Sequence, residues 1–287
     1  MNQLPFSFYE DVLSNASATH AQPNMFNPEY TRLSGRLGAA ARAFDEKRYY
    51  TSVELRDGKI SQVHFHDCAF SRLSKEERPK RFKQRKFIVY HQNLAFPISS
   101  KVERRLEHYA REPGMLSLGL NNNVLSDKWI QLFTSWKNLQ MLIIAVPMSE
   151  PILTLIRDLL SQKQLLYLRN HSSNYGIPGI FLFCQLLKQD QFLVFRLRSE
   201  MDELLKQQIL HIWSRNKDLL TGKMVSWDCE QATMPSGCFG IPEHVGNGVM
   251  RFENENFVVE HYNSRGTIDM SDEEFMKGVN CTDWRFK

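Results

Sequence analysis

The sequence has no long hydrophobic run and no recognisable signal peptide. Across its 287 residues, no stretch approaches the roughly 18 to 20 consecutive apolar residues that a membrane-spanning helix requires. The N-terminus shows neither a basic region with a following apolar segment nor a small-residue cleavage site, so we expect no signal peptide. These absences predict a protein that is neither membrane-anchored nor secreted and that has no membrane partner.

The sequence also lacks the paired cysteines of a disulfide framework. Its five cysteines are an odd number and include no CxxC pair. Small secreted domains are rich in disulfides, whereas reduced thiols are typical of the cytoplasm and the nucleus. We therefore predict an intracellular protein, cytoplasmic or nuclear. The cysteines are Cys68, Cys184, Cys229, Cys238 and Cys281.

Motifs of the common enzyme classes are missing as well. The glycine-bearing stretch PSGCFGIPEHVGNG, residues 235–248, contains neither GxxxxGK[ST] nor GxGxxG. Cys238 in this stretch could act as a nucleophile with His244 nearby, but no third group that would orient the histidine can be named. There is no GxSxG, HExxH or kinase motif set. We therefore predict a non-enzymatic protein with no catalytic residue and no cofactor.

Positive charge is concentrated in one tract. The chain carries a net charge of +4, and residues 72–86 hold 8 basic and 2 acidic residues. Such a tract could contact the phosphates of a nucleic acid or act as a nuclear address. We favour a solvated loop, because only Phe82 lies among these charges and aromatic stacking platforms are absent. In the nucleic-acid alternative, the contacting residues are Lys80, Arg81, Lys83, Arg85 and Lys86.

One short segment, HFHDC, contains possible metal ligands. His64, His66 and Cys68 alternate with other residues, so in a strand they lie on one face. Nitrogen and sulfur donors of this kind can hold zinc, but a structural zinc site needs a fourth ligand. No second Cys/His pair with ligand spacing occurs in the sequence. We therefore favour a half-buried strand with outward polar residues and predict no metal.

The chain begins with an amphipathic helical pattern, LPFSFYEDVL. Pro5 suits the first turn of a helix because its missing N–H would be unpaired there. Phe8, Val12 and Leu13 follow at spacings that share one face. Either this face packs on the protein's own sheet, which we favour, or it docks on a partner.

Local patterns predict three further elements and an acidic end. A second helix is expected over Glu29–Asp45, from apolar residues at helical spacing. Asp57 and Gly58 lie between alternating runs and predict a two-residue hairpin turn. A second hairpin is expected to turn at Asn263–Gly266. The chain then ends with an acidic stretch at Asp272–Glu274.

The middle of the chain shows a weak internal repeat. Five apolar, strand-like runs begin about 25, 25, 27 and 32 residues apart, and amphipathic runs lie between them. Strands that alternate with helices in this way imply parallel pairing with right-handed crossovers. Each unit buries its apolar face only by stacking on its neighbours. The runs begin at Met115, Gln140, Leu165, Phe192 and Met224.

Aromatic residues at helical spacing accompany these repeats. We expect most of them to lie in the core, while the possibility that some form a partner-binding groove stays open. They are Trp129, Phe133, Trp136, Phe181, Phe183 and Trp213.

Together, the N-terminal pattern and the repeats resemble a known family. LPFSFYEDVL resembles the first helix of an F-box, and the repeats look like irregular leucine-rich-like repeats. The combination is similar to the divergent F-box-like families expanded in nematodes. This resemblance implies a substrate-recognition subunit that docks on the Skp-type adaptor of a cullin ubiquitin ligase and holds a substrate protein. The residues that match the F-box pattern are Leu4, Pro5, Phe8, Val12 and Leu13.

The predicted protein is therefore an α/β protein-interaction module. A helical segment over residues 1–48 leads to a hairpin and basic linker over 49–86. Stacked strand–helix units with a mainly parallel sheet follow over 87–230, and a loop, a hairpin and an acidic tail over 231–287 complete the chain. Nucleic-acid binding through residues 72–86 is the alternative function.

Overall fold

A computed structural model describes most of the chain, and the described residues form two compact units. These units comprise residues 1–142 and 143–287. Both combine strands with helices, which confirms the predicted α/β class with stacked strand–helix units. No helix in the described part of the chain is long and apolar enough to cross a membrane. The described residues are 5, 8–9, 12–13, 29–47, 49–67, 72–74, 83–91, 97–112, 115–229, 242–246, 248–267 and 269–287.

The first unit contains a sheet with the strand order β2-β1-β3-β4-β5. The pair β1–β2 is antiparallel, whereas β1–β3 and β3–β4 are parallel. The elements are α1 (Glu29–Arg32), α2 (Gly35–Lys47), β1 (Tyr49–Arg56), β2 (Lys59–His66), β3 (Lys83–Tyr90), α3 (Ser100–Arg111), β4 (Met115–Leu120), α4 (Asp127–Ser135) and β5 (Leu139–Ile144), whose last two residues belong to the second unit.

The hairpin predicted at Asp57 and Gly58 is confirmed. Both residues have positive φ, 51° and 69°, which is the conformation that a type I′ turn requires at its two central positions. Arg56 pairs with Lys59 across this turn. The aspartate–glycine pair therefore fixes the turn, and the strand register shifts once beyond it, between Glu54 and Leu55.

The strand β3 begins within the basic tract, which the sequence analysis interprets as a loop. Lys83–Lys86, the end of the basic tract, forms the first half of β3, so the loop interpretation does not extend to these residues. Ile88 and Tyr90 on the same strand are fully buried, and the Tyr90 ring packs 5.2 Å from that of Trp129 on α4. The buried apolar end of β3 therefore holds the strand in the sheet despite its basic start.

The second unit contains a sheet with the strand order β6-β7-β8-β12-β11-β10-β9. Its first three strands are parallel and the remaining pairs are antiparallel. The elements are α5 (Glu150–Ser161), β6 (Tyr167–Asn170), α6 (Gly176–Leu187), β7 (Val194–Leu197), α7 (Glu203–Arg215), a 3₁₀ turn (Lys217–Leu219), β8 (Met224–Asp228), β9 (Glu243–His244), β10 (Val249–Glu253), β11 (Phe257–Tyr262), α8 (Asp272–Lys277) and β12 (Cys281–Phe286).

The parallel strands of this unit pack against their connecting helices, as the repeat pattern predicts. Leu168, Phe195 and Val225 are in register on β6, β7 and β8, and all three are buried. Phe183 of α6 packs on Phe195 with ring centroids 4.6 Å apart. Burial of one face of each strand under a helix is the main source of stability in such an arrangement.

The second hairpin exists, but the turn predicted at Asn263–Gly266 is wrong. Glu253 pairs with Val258, so β10 and β11 are joined through residues 254–256. There the Asn254 side chain accepts hydrogen bonds from the backbone N–H groups of Asn256 and Phe257, at 2.9 and 2.8 Å. An asparagine that bonds to the following backbone is a common turn former.

The acidic end of the chain is a helix followed by a central strand. Ser271 caps α8 with a reciprocal capping box to Glu274. Beyond this helix, β12 inserts between β8 and β11 and pairs with both in the antiparallel sense. The last residues of the sequence are therefore an integral part of the sheet and not a solvated tail.

Candidate functional site

The N-terminal segment has one outward and one inward face. Phe8, Tyr9, Val12 and Leu13 are helical. Phe8 and Val12, which are four residues apart, are 46% and 40% exposed, whereas Tyr9 and Leu13 are only 4% and 1% exposed. Pro5, one turn before Phe8, is also exposed. The outward face therefore carries a short apolar stripe that the described residues do not cover.

The inward face of this segment packs on α2. Tyr9 and Leu13 form a buried cluster with Ala40, Ala41 and Phe44. Small alanine side chains allow the two segments to approach closely, so the segment is held in place by its own core. Leu13 is consequently unavailable to a partner, although the F-box pattern includes it. Leu4, which the pattern also includes, lies outside the described residues.

A second exposed apolar surface lies on α6 and α7. Ile177 and Phe181, one helical turn apart on α6, are 73% and 62% exposed. Together with Leu204 of α7 they line a groove of about 410 Å³. Its polar lining includes Lys188 and His211. Large exposed apolar side chains that adjoin one another are typical of partner-binding surfaces.

Only some of the exposed residues that line this groove could be identified from the sequence. Phe181 belongs to the aromatic set for which a groove remained an open alternative, while Trp129, Phe133 and Phe183 from that set are fully buried. Ile177 carried no signal, since an isolated isoleucine near a helix start is as compatible with burial as with exposure. α6 is hydrophobic, and the residues on its inward face contact the sheet. Phe181 lies on the outward face and is therefore exposed.

The first unit has a groove of its own between the β1–β2 hairpin and α3. It measures about 470 Å³, and its apolar lining includes Val53, Ile60 and Val63. Its charged and titratable lining residues are Lys101, Arg104, Arg105, His108 and Glu112. The sequence pattern of α3 predicts an amphipathic helix, but the hairpin that completes the groove is distant in the sequence.

The histidines of HFHDC lie on one side of β2, as predicted. The rings of His64 and His66 are 6.0 Å apart, and His64 Nε2 lies 3.7 Å from Glu54 Oε1. Among the described residues there is no group of three or more His, Cys, Asp and Glu side chains that could hold a metal ion. Cys68 lies outside the described residues.

One of the five residues predicted to contact a nucleic acid is buried inside the protein. Lys86 is fully buried, and its Nζ donates hydrogen bonds to the carbonyl oxygens of Ala110, at 2.6 Å, and Glu112. It therefore cannot contact a phosphate on a bound nucleic acid. Lys83 and Arg85 lie on the same strand, β3, and Lys80 and Arg81 lie outside the described residues.

The structure supplies a partner for His244 that sequence reasoning missed. His244 Nε2 lies 3.0 Å from Asp272 Oδ1, and its ring packs edge-on against Phe275, so both contacts tie β9 to α8. This carboxylate could not be named from the sequence because it is 28 residues further along the chain. Cys238 lies outside the described residues.

The described thiols are poorly suited to nucleophilic chemistry. Burial raises the pKa of Cys184 to about 11 and that of Cys281 to about 11, and it also raises the pKa of Cys229. A thiol with a raised pKa is protonated at neutral pH and is a weak nucleophile. All three of these cysteines are free thiols.

Comparison of the chain with protein-family models, with curated proteins and with solved structures yields no match. The resemblance to F-box-like families therefore remains a prediction from sequence.

Proposed function

We propose that the protein is a non-enzymatic protein-interaction module that serves as a substrate-recognition subunit of a cullin-type ubiquitin ligase. The observation that carries this proposal is the split of the N-terminal segment into a buried anchor, Tyr9 and Leu13, and an exposed stripe, Phe8 and Val12. Neighbouring exposed apolar side chains on the outer face of an anchored helix are typical of partner-binding surfaces.

In this proposal each exposed apolar surface has its own partner. The stripe of Phe8 and Val12 contacts a Skp-type adaptor, and the groove that contains Ile177 and Phe181 holds the substrate protein. The two surfaces lie in different compact units, which suits a subunit that binds two proteins. A subunit of this kind acts inside the cell, in the cytoplasm or the nucleus.

The adaptor contact is tested by charge substitution in the stripe. We expect the double variant Phe8→Asp/Val12→Asp to bind a purified Skp-type adaptor at least about tenfold more weakly than the wild type, because each carboxylate replaces an apolar anchor. Binding is measured by calorimetry or by pull-down with purified components. Since both side chains are exposed, the variant should keep its thermal stability.

The matched control is Val245→Asp, which places the same charge at an exposed valine in the second unit. It should leave adaptor binding unchanged. Absence of adaptor binding by the wild type, or equal binding by the wild type and the double variant, removes the ligase role.

Nucleic-acid binding through residues 72–86 is the weaker alternative. No described residue favours it, and the burial of Lys86 removes one of its contacts. It predicts an affinity that falls steeply as salt is added, since phosphate contacts release counterions. A flat salt titration with a nucleic-acid probe would rule it out.

A further inference from the structure

Two arginines face each other across the parallel strands of the second unit. Arg169 on β6 and Arg196 on β7 are direct partners in the strand register. Arg198 follows immediately after the end of β7. Like charges directly opposite each other in a sheet are destabilising, so this arrangement needs compensation by negative charge.

The described residues compensate this charge only in part. Asp228 at the end of β8 lies 3.6 Å from Arg196 and 3.4 Å from Arg198. No ion pair joins Arg169 to a carboxylate within the described parts of the chain. Asp283 on β12 also acts electrostatically on Arg196, so of the three arginines it is Arg169 whose charge no described ion pair balances.

Two of these arginines also have unused hydrogen-bond donors. The Nε atoms of Arg169 and Arg196 are buried and have no hydrogen-bond partner. Buried polar groups are almost always bonded, so an unbonded donor calls for a ligand or a bound ion. Burial, reinforced by the charges of Arg198 and Arg196, lowers the pKa of Arg169 to about 10, so Arg169 is still charged at neutral pH.

The cluster lies where ligands commonly bind in α/β proteins. Arg169, Arg196 and Asp228 are all at or near the carboxyl ends of parallel strands. Binding crevices of open α/β sheets lie just outside these ends. Successive strand residues point to opposite faces, and Phe195 packs on α6, so Arg196 and its register partner Arg169 lie on the face away from that helix.

We propose that Arg169, Arg196 and Arg198 form a binding site for a phosphate dianion, either free or as a phosphate monoester. A phosphate group offers several acceptor oxygens at once, which suits the unbonded Nε donors of Arg169 and Arg196. Planar guanidinium groups donate paired hydrogen bonds to phosphate oxygens, and lysine lacks this geometry. The site is separate from the residues proposed to contact the adaptor, and it stands or falls independently of the ligase role.

The test measures binding of inorganic phosphate and of O-phosphoserine to the full chain, by calorimetry and by thermal shift at constant ionic strength. We expect both to bind the wild type, with unphosphorylated serine as the inactive comparison. Arg169→Gln should weaken phosphate binding by about tenfold or more, because it removes a charged donor. Arg215→Gln, which removes an exposed arginine of α7, is the matched control and should bind as the wild type does.

A second readout separates binding from a structural role. Without ligand, Arg169→Gln should be no less stable than the wild type, since it relieves repulsion between like charges. Arg169→Lys keeps the charge and loses the planar fork, so it should also bind phosphate more weakly. Binding of phosphate alone assigns the site to the free anion, and binding of both probes assigns it to the monoester.

Three results would contradict the proposal that these arginines form a phosphate-binding site. The first is a wild type that binds neither probe. The second is phosphate binding that is unchanged in Arg169→Gln and Arg169→Lys, or reduced equally in Arg215→Gln. The third is a ligand-free Arg169→Gln that is clearly less stable than the wild type, because Arg169 would then serve the fold.

Discussion

Replacement of Lys86 by methionine is expected to lower the free energy of unfolding by about 2–4 kcal/mol. Lys86 is fully buried on β3, and its ammonium group donates to the carbonyl oxygens of Ala110 and Glu112. These carbonyls lie at the end of α3, where helix backbone acceptors lack partners within the helix. Methionine fills nearly the same space but leaves acceptors in a buried site without their donor.

Two opposing effects decide the size of this loss. Removal of a buried charge recovers the free energy spent on desolvating it, which favours the variant. Loss of hydrogen bonds from a charged donor, and of its attraction to the negative end of the helix dipole, disfavours it. Asn138 also donates to Ala110 O, at 2.5 Å, so this carbonyl keeps one donor in the variant. Unsatisfied acceptors outweigh the recovered desolvation, and the net change is destabilising.

Lys223 plays the same role in the second unit. Its Nζ donates to Leu187 O at 2.6 Å and to Gln189 O at 2.8 Å, at the end of α6. Burial lowers the pKa of Lys223, as expected for an ammonium group removed from water. We therefore expect Lys223→Met to destabilise the protein as well. This variant tests the role of a buried lysine at a second, independent site.

Chemical denaturation with urea measures both lysine variants. The control is Lys206→Met on α7, whose lysine side chain is 39% exposed and lies 3.9 Å from Glu203. Such surface pairs contribute about 0–1 kcal/mol, so the control should stay near the wild type. A Lys86→Met variant as stable as Lys206→Met would show that the buried lysine does not cap the helix.

These lysines illustrate what the sequence could and could not predict about the fold. The Asp57–Gly58 hairpin was predictable because two adjacent residues set its conformation. The burial of Lys86 was not, because its acceptors lie 24 and 26 residues further along the chain. The same limit applies to β12, since no local pattern says which strands a terminal strand will pair with.

The candidate sites divide in the same way. Helical spacing correctly placed Phe8 and Val12 on one face, but adjacent Leu13 faces α2 instead. Helix geometry fixes the direction in which a side chain points, whereas its burial depends on which other elements pack against that side of the helix. The exposure of Phe181 and the arginine cluster could be recognised only once the arrangement of strands and helices was known. Exposure and strand register are properties of the fold and not of the local sequence.

The stability of the second unit should fall as the pH is lowered from 6.5 toward 4, through His261. This side chain is buried on β11, its Nδ1 lies 2.9 Å from Thr282 Oγ1, and its ring packs against Phe252. Burial lowers its pKa from 6.5 to about 4. Between these values the unfolded chain binds a proton that the folded chain does not, so folding is favoured at the higher pH.

The expected loss is about 3 kcal/mol in full, and most of it should appear between pH 6.5 and 4.5. His261→Gln removes the titrating ring, so its stability should depend less on pH over this interval than that of the wild type. Urea denaturation at several pH values measures the difference between the two curves, which cancels the contributions of other groups. His108→Gln, at a histidine that is 84% exposed, is the control and should follow the wild type. If the curves of the wild type and His261→Gln are parallel, His261 is protonated equally in the folded and unfolded chains, and its burial does not govern the acid sensitivity.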